Sequence, residues 1–416
     1  MIHIKPREYF EGEFTLPGDK SITHRAVMLN AGAEGEAVIT NALMGEDCLS
    51  TCRCMQELGA EISIDGTMVR VKGAPRFQSG KTLDCGNSGT TIRLLTGFLS
   101  GKGIEAVLTG DESLSKRPMS RVSEPLSYLG AVVNTTDGHA PVQVLPASLK
   151  GADIALKVAS AQVKSAVILA GLSADGETSV TEPVQSRDHT ERMLKAMGAD
   201  IIVTDRTTSV KKSKLKAVSV EVPSDISSAA YFMAIGALKG KTLCKNVGVN
   251  PTRTGILKAF DLLGVKYALL NLRVSGGEEI ADILVEKSVL KPIALAEKDI
   301  PSMIDELPLI ALLCAFADGE SHITGAKELK VKESDRILTT SELINGLGGE
   351  CIPTDDGFII RGHGSLEGGV VNSYLDHRIA MTGAVGLIAS NSGGEIQGEE
   401  CCAISFPDFF ERLGVK

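Results

Sequence analysis

One pattern recurs six times along this chain of 416 residues. A stretch of small and apolar residues with helical character leads into a Gly turn and a short strand. A polar loop and a second, amphipathic helix follow. That helix ends in Leu-Gly or Met-Gly, and another strand begins. The first stretches read RAVMLNAGAEG, TIRLLTGFLSGKG, KSAVILAGLSADG, AAYFMAIGALKG, LPLIALLCAFADG and HRIAMTGAVGLIA. The second helices stop at Gly59, Gly130, Gly198, Gly264, Gly348 and Gly414, at separations of 66 to 84 residues. A glycine just past a helix accepts left-handed backbone without a Cβ clash, so each is a stop signal with a physical cause. β-branched residues then open the next strand, as in Ala131-Val132-Val133 and Asp200-Ile201-Ile202-Val203. A chain of this length exceeds one ordinary core, and six repeats divide simply into two domains of three. The expected crossings lie near Pro17-Gly18 and Pro223-Ser224. They give one domain over 18–223 and a discontinuous one over 1–17 plus 224–416, both of the α/β class. The opening segment IKPREYFEGEFTL is expected to close the second domain.

Composition removes several functions. Aromatics make up 4% of the chain and Trp is absent, which argues against stacking platforms for single-stranded nucleic acid. The net charge of −9 has the wrong sign for non-specific nucleic-acid binding. The nine cysteines are scattered, without zinc-finger spacing or an accompanying His cluster. They read as reduced thiols, and no metal is expected. The N-terminus lacks the apolar stretch of a signal peptide. The longest apolar run, Leu307 to Ala317, is too short to span a bilayer. A cytoplasmic protein with no membrane or nucleic-acid partner is expected.

Unusual residues collect where the apolar helices begin. Helix N-termini attract anions through free N–H groups and the helix dipole, and they disfavour cations. Yet Lys20 and Arg25 flank the first such start, Arg93 the second, Lys164 the third and Arg378 the sixth. A multiply charged anionic ligand would account for them. Each local motif also has a plain reading. Asp19 in Pro17-Gly18-Asp19-Lys20-Ser21 suits a helix cap. Gly86-Asn87-Ser88-Gly89-Thr90-Thr91 suits either an anion nest or an ordinary Gly-rich turn, and it lacks the Gly-Lys-Ser/Thr of a P-loop. Ser160-Ala161-Gln162 suits a cap. Asp305-Glu306 opens a wholly apolar helix, and Asp305 there suits either a helix-start acid or a general base. Lys332 and Arg336, four apart, are expected to share a helix face that an anion between them would relieve. Asp376-His377-Arg378 precedes the last apolar helix, where His377 reads as structural.

In this order, these pieces resemble the EPSP synthase family of enolpyruvyl transferases. The resemblance spans essentially the whole chain. It runs through PGDKSITHR at Pro17 to Arg25, GNSGTTIR at Gly86 to Arg93, KRP at Lys116 to Pro118 and SAQVKSA at Ser160 to Ala166. DELP from Asp305, VKESDR from Val331, YLDHRIAM from Tyr374 and FPDFF from Phe406 complete it. It implies two domains, each of three βαβαββ units, with the active site in the cleft between them. It implies transfer of the enolpyruvyl group of phosphoenolpyruvate to the 5-hydroxyl of shikimate 3-phosphate. No cofactor is expected, and a monomer is expected. Carried over to matching positions, Lys20, Ser21, Arg25, Ser160, Gln162, Asp305 and Lys332 hold shikimate 3-phosphate, with Ser186 a weaker candidate. Lys20, Gly89, Arg117, Gln162, Arg336 and Arg378 hold phosphoenolpyruvate, and Asn87 and Thr90 shape the same nest. Asp305 accepts the proton of the attacking hydroxyl. Glu333, with Lys20, protonates the methylene carbon.

Two positions depart from the family pattern. Ala161 stands where many members carry a second phosphate-binding Ser, and Ile404 stands where some carry a Lys. The nearest alternative is the related transferase that acts on UDP-N-acetylglucosamine. It typically has a reactive Cys in the loop that corresponds to Asp111–Arg121, and no Cys occurs there. A six-repeat clamp or scaffold would line a hole with basic second helices, whereas the cations here cluster at first-helix starts beside Asp305.

Overall fold

The computed structural model describes residues 1–74 and 76–415, with Ile404 described by its backbone alone. The chain forms two compact units. An inserted unit comprises Gly18–Pro223 with Val274–Glu278. A terminal unit comprises Met1–Pro17, Ser224–Arg273 and Glu279–Lys416. The placement of Val274–Glu278 corrects the expected assignment of all of 224–416 to one body. Its reason is local bonding. Ser275 Oγ accepts from Glu221 N at 2.9 Å, Gly276 lies against Val220, and the Glu278 carboxylate meets His189 Nδ1 at 2.8 Å.

Among the described residues six small sheets form, three in each unit, each built mainly from one sequence repeat. The second repeat shows the βαβαββ order: strand Lys81–Asp84, helix Gly89–Lys102, strand Ala106–Thr109, helix Ser120–Ser127, then the hairpin of Val132–Thr136 and His139–Leu145. In all six sheets the pair of strands beside the apolar helix is parallel. The next pair is antiparallel. Parallel neighbours need a crossover element, which the apolar helix supplies in the four sheets whose parallel strands adjoin it in sequence. All six stop glycines, Gly59, Gly130, Gly198, Gly264, Gly348 and Gly414, have φ between 66° and 105°.

Two strands are exchanged at the crossings. Phe10–Thr15 precedes the first apolar helix but pairs with Gly240–Gly248 in the terminal unit. Val220–Glu221 precedes the fourth but pairs with Glu36–Thr40 in the inserted unit. The opening segment is therefore two strands that close two sheets, since Ile2–Ile4 pairs separately with Gly394–Gln397. Pro6, which has no N–H for a ladder, lies between them.

Each unit has its own core, built around three apolar helices. These are Lys20–Ala31, Gly89–Lys102 and Ala161–Gly171 in the inserted unit, and Ile226–Lys239, Leu307–Ala315 and His377–Ala389 in the terminal unit. Every residue of Leu307–Ala315 is buried. A helix that is apolar all round has no face to give to water, so it must run through the interior. Glycines bring two of them close. A Cβ on Gly97 would lie 2.2 Å from Ala166 O, and one on Gly101 would lie 2.7 Å from Leu169 O. Gly97→Ala is therefore expected to lower stability by about 1–3 kcal/mol through overpacking against backbone. Urea unfolding measures it, and an unchanged midpoint would refute the close approach.

Candidate active site

In the inserted unit, each apolar helix begins with a side-chain cap. Asp19 Oδ1 accepts from Ile22 N at 2.9 Å, Ser88 Oγ from Thr91 N at 3.1 Å, and Ser160 Oγ from Val163 N at 3.4 Å. A line of hydroxyls ties the first two starts together. His24 Nδ1 meets Thr51 Oγ1 at 2.7 Å, Thr51 meets Thr91 at 2.7 Å, and Thr91 Oγ1 also donates to Ser88 Oγ at 2.7 Å. Lys20 Nζ is held by Asp47 at 3.2 Å. The Ser21 carbonyl accepts from Arg25 Nη1 at 3.0 Å. The rest of the buried Arg25 guanidinium donates to Thr190 at 2.7 Å and Ser165 at 3.0 Å. Burial draws Arg25 down to about 10, against the pull of Glu191 and Asp19.

At the start of Gly89–Lys102, two guanidiniums converge. Arg93 Nη1 donates to Gln162 Oε1 at 2.7 Å, and Gln162 Nε2 donates to Thr90 Oγ1 at 3.0 Å. Arg117 Nη2 donates to Asn87 Oδ1 at 2.6 Å, and Asn87 in turn donates to Asp111 at 2.6 Å. A Cβ on Gly89 would sit 2.9 Å from Arg93 Nη1 and 3.2 Å from Arg117 Nη1. Among the described residues both guanidiniums hydrogen-bond only neutral oxygens, and Arg93 Nε is buried without a partner. Burial brings Arg93 down to about 10, with repulsion from Arg121 and Arg117 adding to it. Such a place favours an anion.

Two expectations change here. Lys164 does not await a ligand, because Glu182 and Glu191 each hold its Nζ at 2.8 Å in the interior. Burial alone would lower its pKa, but the two glutamates outweigh burial and raise it. Ser186 Oγ donates to Glu182 Oε1 at 2.5 Å, so its proton is engaged and it offers a phosphate no donor as it stands.

In the terminal unit the arginines are compensated. Arg336 is buried. It donates to Asp376 from Nε at 2.8 Å and from Nη2 at 3.2 Å, and to Glu333 Oε2 at 2.6 Å, while its Nη1 lies 3.7 Å from Asp305 Oδ1. Asp376 also caps the last apolar helix by accepting from Arg378 N at 2.9 Å. Lys332 and Arg336 do not share a helix face. The helix is Arg336–Gly346, capped by Asp335, and Lys332 lies before it in extended backbone. Burial would raise the Glu333 carboxyl, but Arg336 holds it below the ordinary value. Arg378 packs against the Tyr231 hydroxyl and lies 4.0 Å from Glu306. The side chain of Ile404 is outside the described residues. No group of three or more His, Cys, Asp or Glu among the described residues is placed to hold a metal ion.

The family described as EPSP synthase (3-phosphoshikimate 1-carboxyvinyltransferase) matches residues 4–413. The chain belongs to the EPSP synthase family. It is 46% identical to the 3-phosphoshikimate 1-carboxyvinyltransferase of Thermoanaerobacter sp. (strain X514), over 99% of both chains. It is 44% identical to that of Bacillus cytotoxicus, again over 99% of both. A solved EPSP synthase from Acinetobacter baumannii superposes with a TM-score of 0.93 at 42% identity, covering 99% of this chain and 97% of that one.

The EPSP synthase motifs and the geometry meet at the helix starts. The structure brings Asn87, Gly89, Thr90, Arg117 and Gln162 together around Arg93, and it brings Asp305, Glu333 and Asp376 together around Arg336. It leaves Lys332 without a hydrogen bond or ion pair among the described residues. Sequence reasoning missed Asp47, Arg253, Glu182 and Glu191, whose partners lie far away along the chain.

Two buried histidines, one in each unit, give the protein a pH signature. His24 is driven to about 3 by burial first, with Lys20 and Arg25 adding to it and Asp47 opposing. His377 is driven to about 3 by burial and then Arg378, against Glu333. An unfolded His titrates near ~6.5, so between about 6.5 and 3 the unfolded chain takes up protons that the folded chain refuses. Stability is therefore full above that window and falls as pH falls through it. Urea midpoints should drop between pH 7 and pH 5. A flat profile would mean that both rings protonate freely in the folded protein.

Proposed function

We propose that the chain transfers the enolpyruvyl group of phosphoenolpyruvate to the 5-hydroxyl of shikimate 3-phosphate and releases phosphate. The observation that carries this reading is the convergence of Arg93 and Arg117 at the start of Gly89–Lys102, where the buried Arg93 bonds no carboxylate among the described residues and its Nε has no partner, a ready place for a small polyanion. Family membership and the named relatives support the same reaction. Lys20, Asn87, Gly89, Thr90, Arg117, Gln162, Arg336 and Arg378 bind the donor. Lys20, Ser21, Arg25, Ser160, Gln162, Asp305 and Lys332 bind the acceptor. Ser186 joins them only if its bond to Glu182 opens.

The acceptor oxygen attacks C2 of the donor while its proton passes to Asp305. A second proton reaches C3 and makes a methyl group, giving a tetrahedral intermediate. The C2–O bond to phosphate then breaks and C3 returns a proton, which restores the double bond. Glu333 rests ionised beside Arg336, so we assign delivery of the C3 proton to Lys20, with Glu333 acting only after it has gained one. The cations stabilise phosphate as it leaves. We place the reaction in the cytoplasm, in line with nine free cysteines, and in a monomer. No helix among the described residues is long and apolar enough to cross a membrane.

Phosphate release should require both phosphoenolpyruvate and shikimate 3-phosphate, and UDP-N-acetylglucosamine should not replace the latter. Release with the sugar nucleotide alone would overturn the acceptor. Asp305→Asn should lower kcat by on the order of 100-fold or more with the donor KM little changed, as loss of a general base does. Near-normal turnover would remove Asp305 from the proton path.

A further inference from the structure

Glu306 occupies the N-cap position of Leu307–Ala315, yet it makes no side-chain cap bond. It is 2% exposed. A carboxylate buried this far is costly unless paired, and a helix start needs no such group for its own sake. The partners of Glu306 explain it. Its Oε1 accepts a short hydrogen bond from Ser227 Oγ and lies 4.0 Å from Arg378 Nη1. Arg253 Nη2 donates to the same Ser227 Oγ at 2.9 Å and to Asp225 Oδ1 at 3.0 Å. A guanidinium can only donate. Ser227 therefore accepts from Arg253, and its single proton points to Glu306. The order Asp225, Arg253, Ser227, Glu306, Arg378 is thus a directed chain of alternating charge. It joins the starts of the three apolar helices of the terminal unit.

We propose that Glu306 is a positioning residue for Arg378, fixing the guanidinium that holds phosphoenolpyruvate. This role rests on Arg378 binding the donor, as proposed above. The Tyr231 hydroxyl also neighbours Arg378, and the Arg378 side chain still keeps 14% of its surface open. With Glu306 and Tyr231 as neighbours, the head cannot swing without leaving a buried carboxylate unpaired. Burial and the adjacent Asp305 raise the Glu306 carboxyl, while Arg378, Arg253 and the Ser227 hydroxyl hold it down. Glu306 and Arg378 therefore depend on each other.

The test is steady-state phosphate release by the full chain with each substrate varied. Glu306→Gln keeps the shape and removes the charge. It should raise the KM for phosphoenolpyruvate about tenfold or more, as a displaced binding group does, with the KM for shikimate 3-phosphate within about twofold and kcat within about threefold. Ser227→Ala, which removes only the hydroxyl that pins Glu306, should move the donor KM in the same direction by about threefold. It carries the test if Glu306→Gln does not fold. A donor KM unchanged in both variants would overturn the proposal, and so would equal shifts in both KM values, which mark general loosening. Wild-type protein that releases no phosphate with these substrates would instead overturn the proposed reaction, so the two failures are distinguishable.

Discussion

A helix with no polar face can offer only its ends to polar chemistry. This constraint shapes both units. Each of the six apolar helices is packed on all sides, so the only main-chain groups it leaves unbonded are the N–H groups of the first turn and the C=O groups of the last. Caps such as Asp19, Ser88, Ser160, Asp225 and Asp376 satisfy part of that demand. What remains unsatisfied is a directional, partly positive surface. Residues next to it gain influence out of proportion to their number.

The two units answer that demand differently. In the inserted unit, Arg93 and Arg117 hydrogen-bond neutral amide and hydroxyl oxygens, with Asp111 near Arg117 alone, so Arg93 carries the less compensated charge. In the terminal unit, Arg336, Arg253 and Arg378 are each set against carboxylates. Uncompensated cations attract an anion strongly, but desolvation and repulsion among themselves lower their pKa values, as at Arg93. Compensated cations attract less strongly but are held in place, because moving one would strand a buried acid. One arrangement favours capture and the other favours orientation. A reaction that joins two polyanions needs both.

Buried acids therefore serve as scaffolding here. Glu182 and Glu191 hold Lys164, Asp376 holds Arg336, and Glu306 faces Arg378. Lys164 is the instructive case. From its place at a helix start it reads as a ligand site, yet it is an internal strut. At Arg93 the same helix start has no carboxylate bonded to it among the described residues. Only the location of the nearest carboxylate separates the two.

The sequence by itself determined the six repeats, the α/β class and the ends of the second helices, since each depends on neighbours a few residues apart. A left-handed glycine such as Gly198 or an apolar run such as Leu307–Ala315 acts within its own turn of chain, so its letters are enough. The family motifs likewise lay in the letters, as did the gathering of chemistry at helix starts. Tertiary structure decided the rest. It alone placed Val220–Glu221 in the sheet of Glu36–Thr40, because a strand of two residues carries no period to read and its partner is chosen by whichever sheet edge is open. It alone moved Val274–Glu278 into the other unit. It also settled which cations are free, because charge compensation acts through space: Glu182 and Glu191 reach Lys164 from 18 and 27 positions away, a separation that no local pattern records.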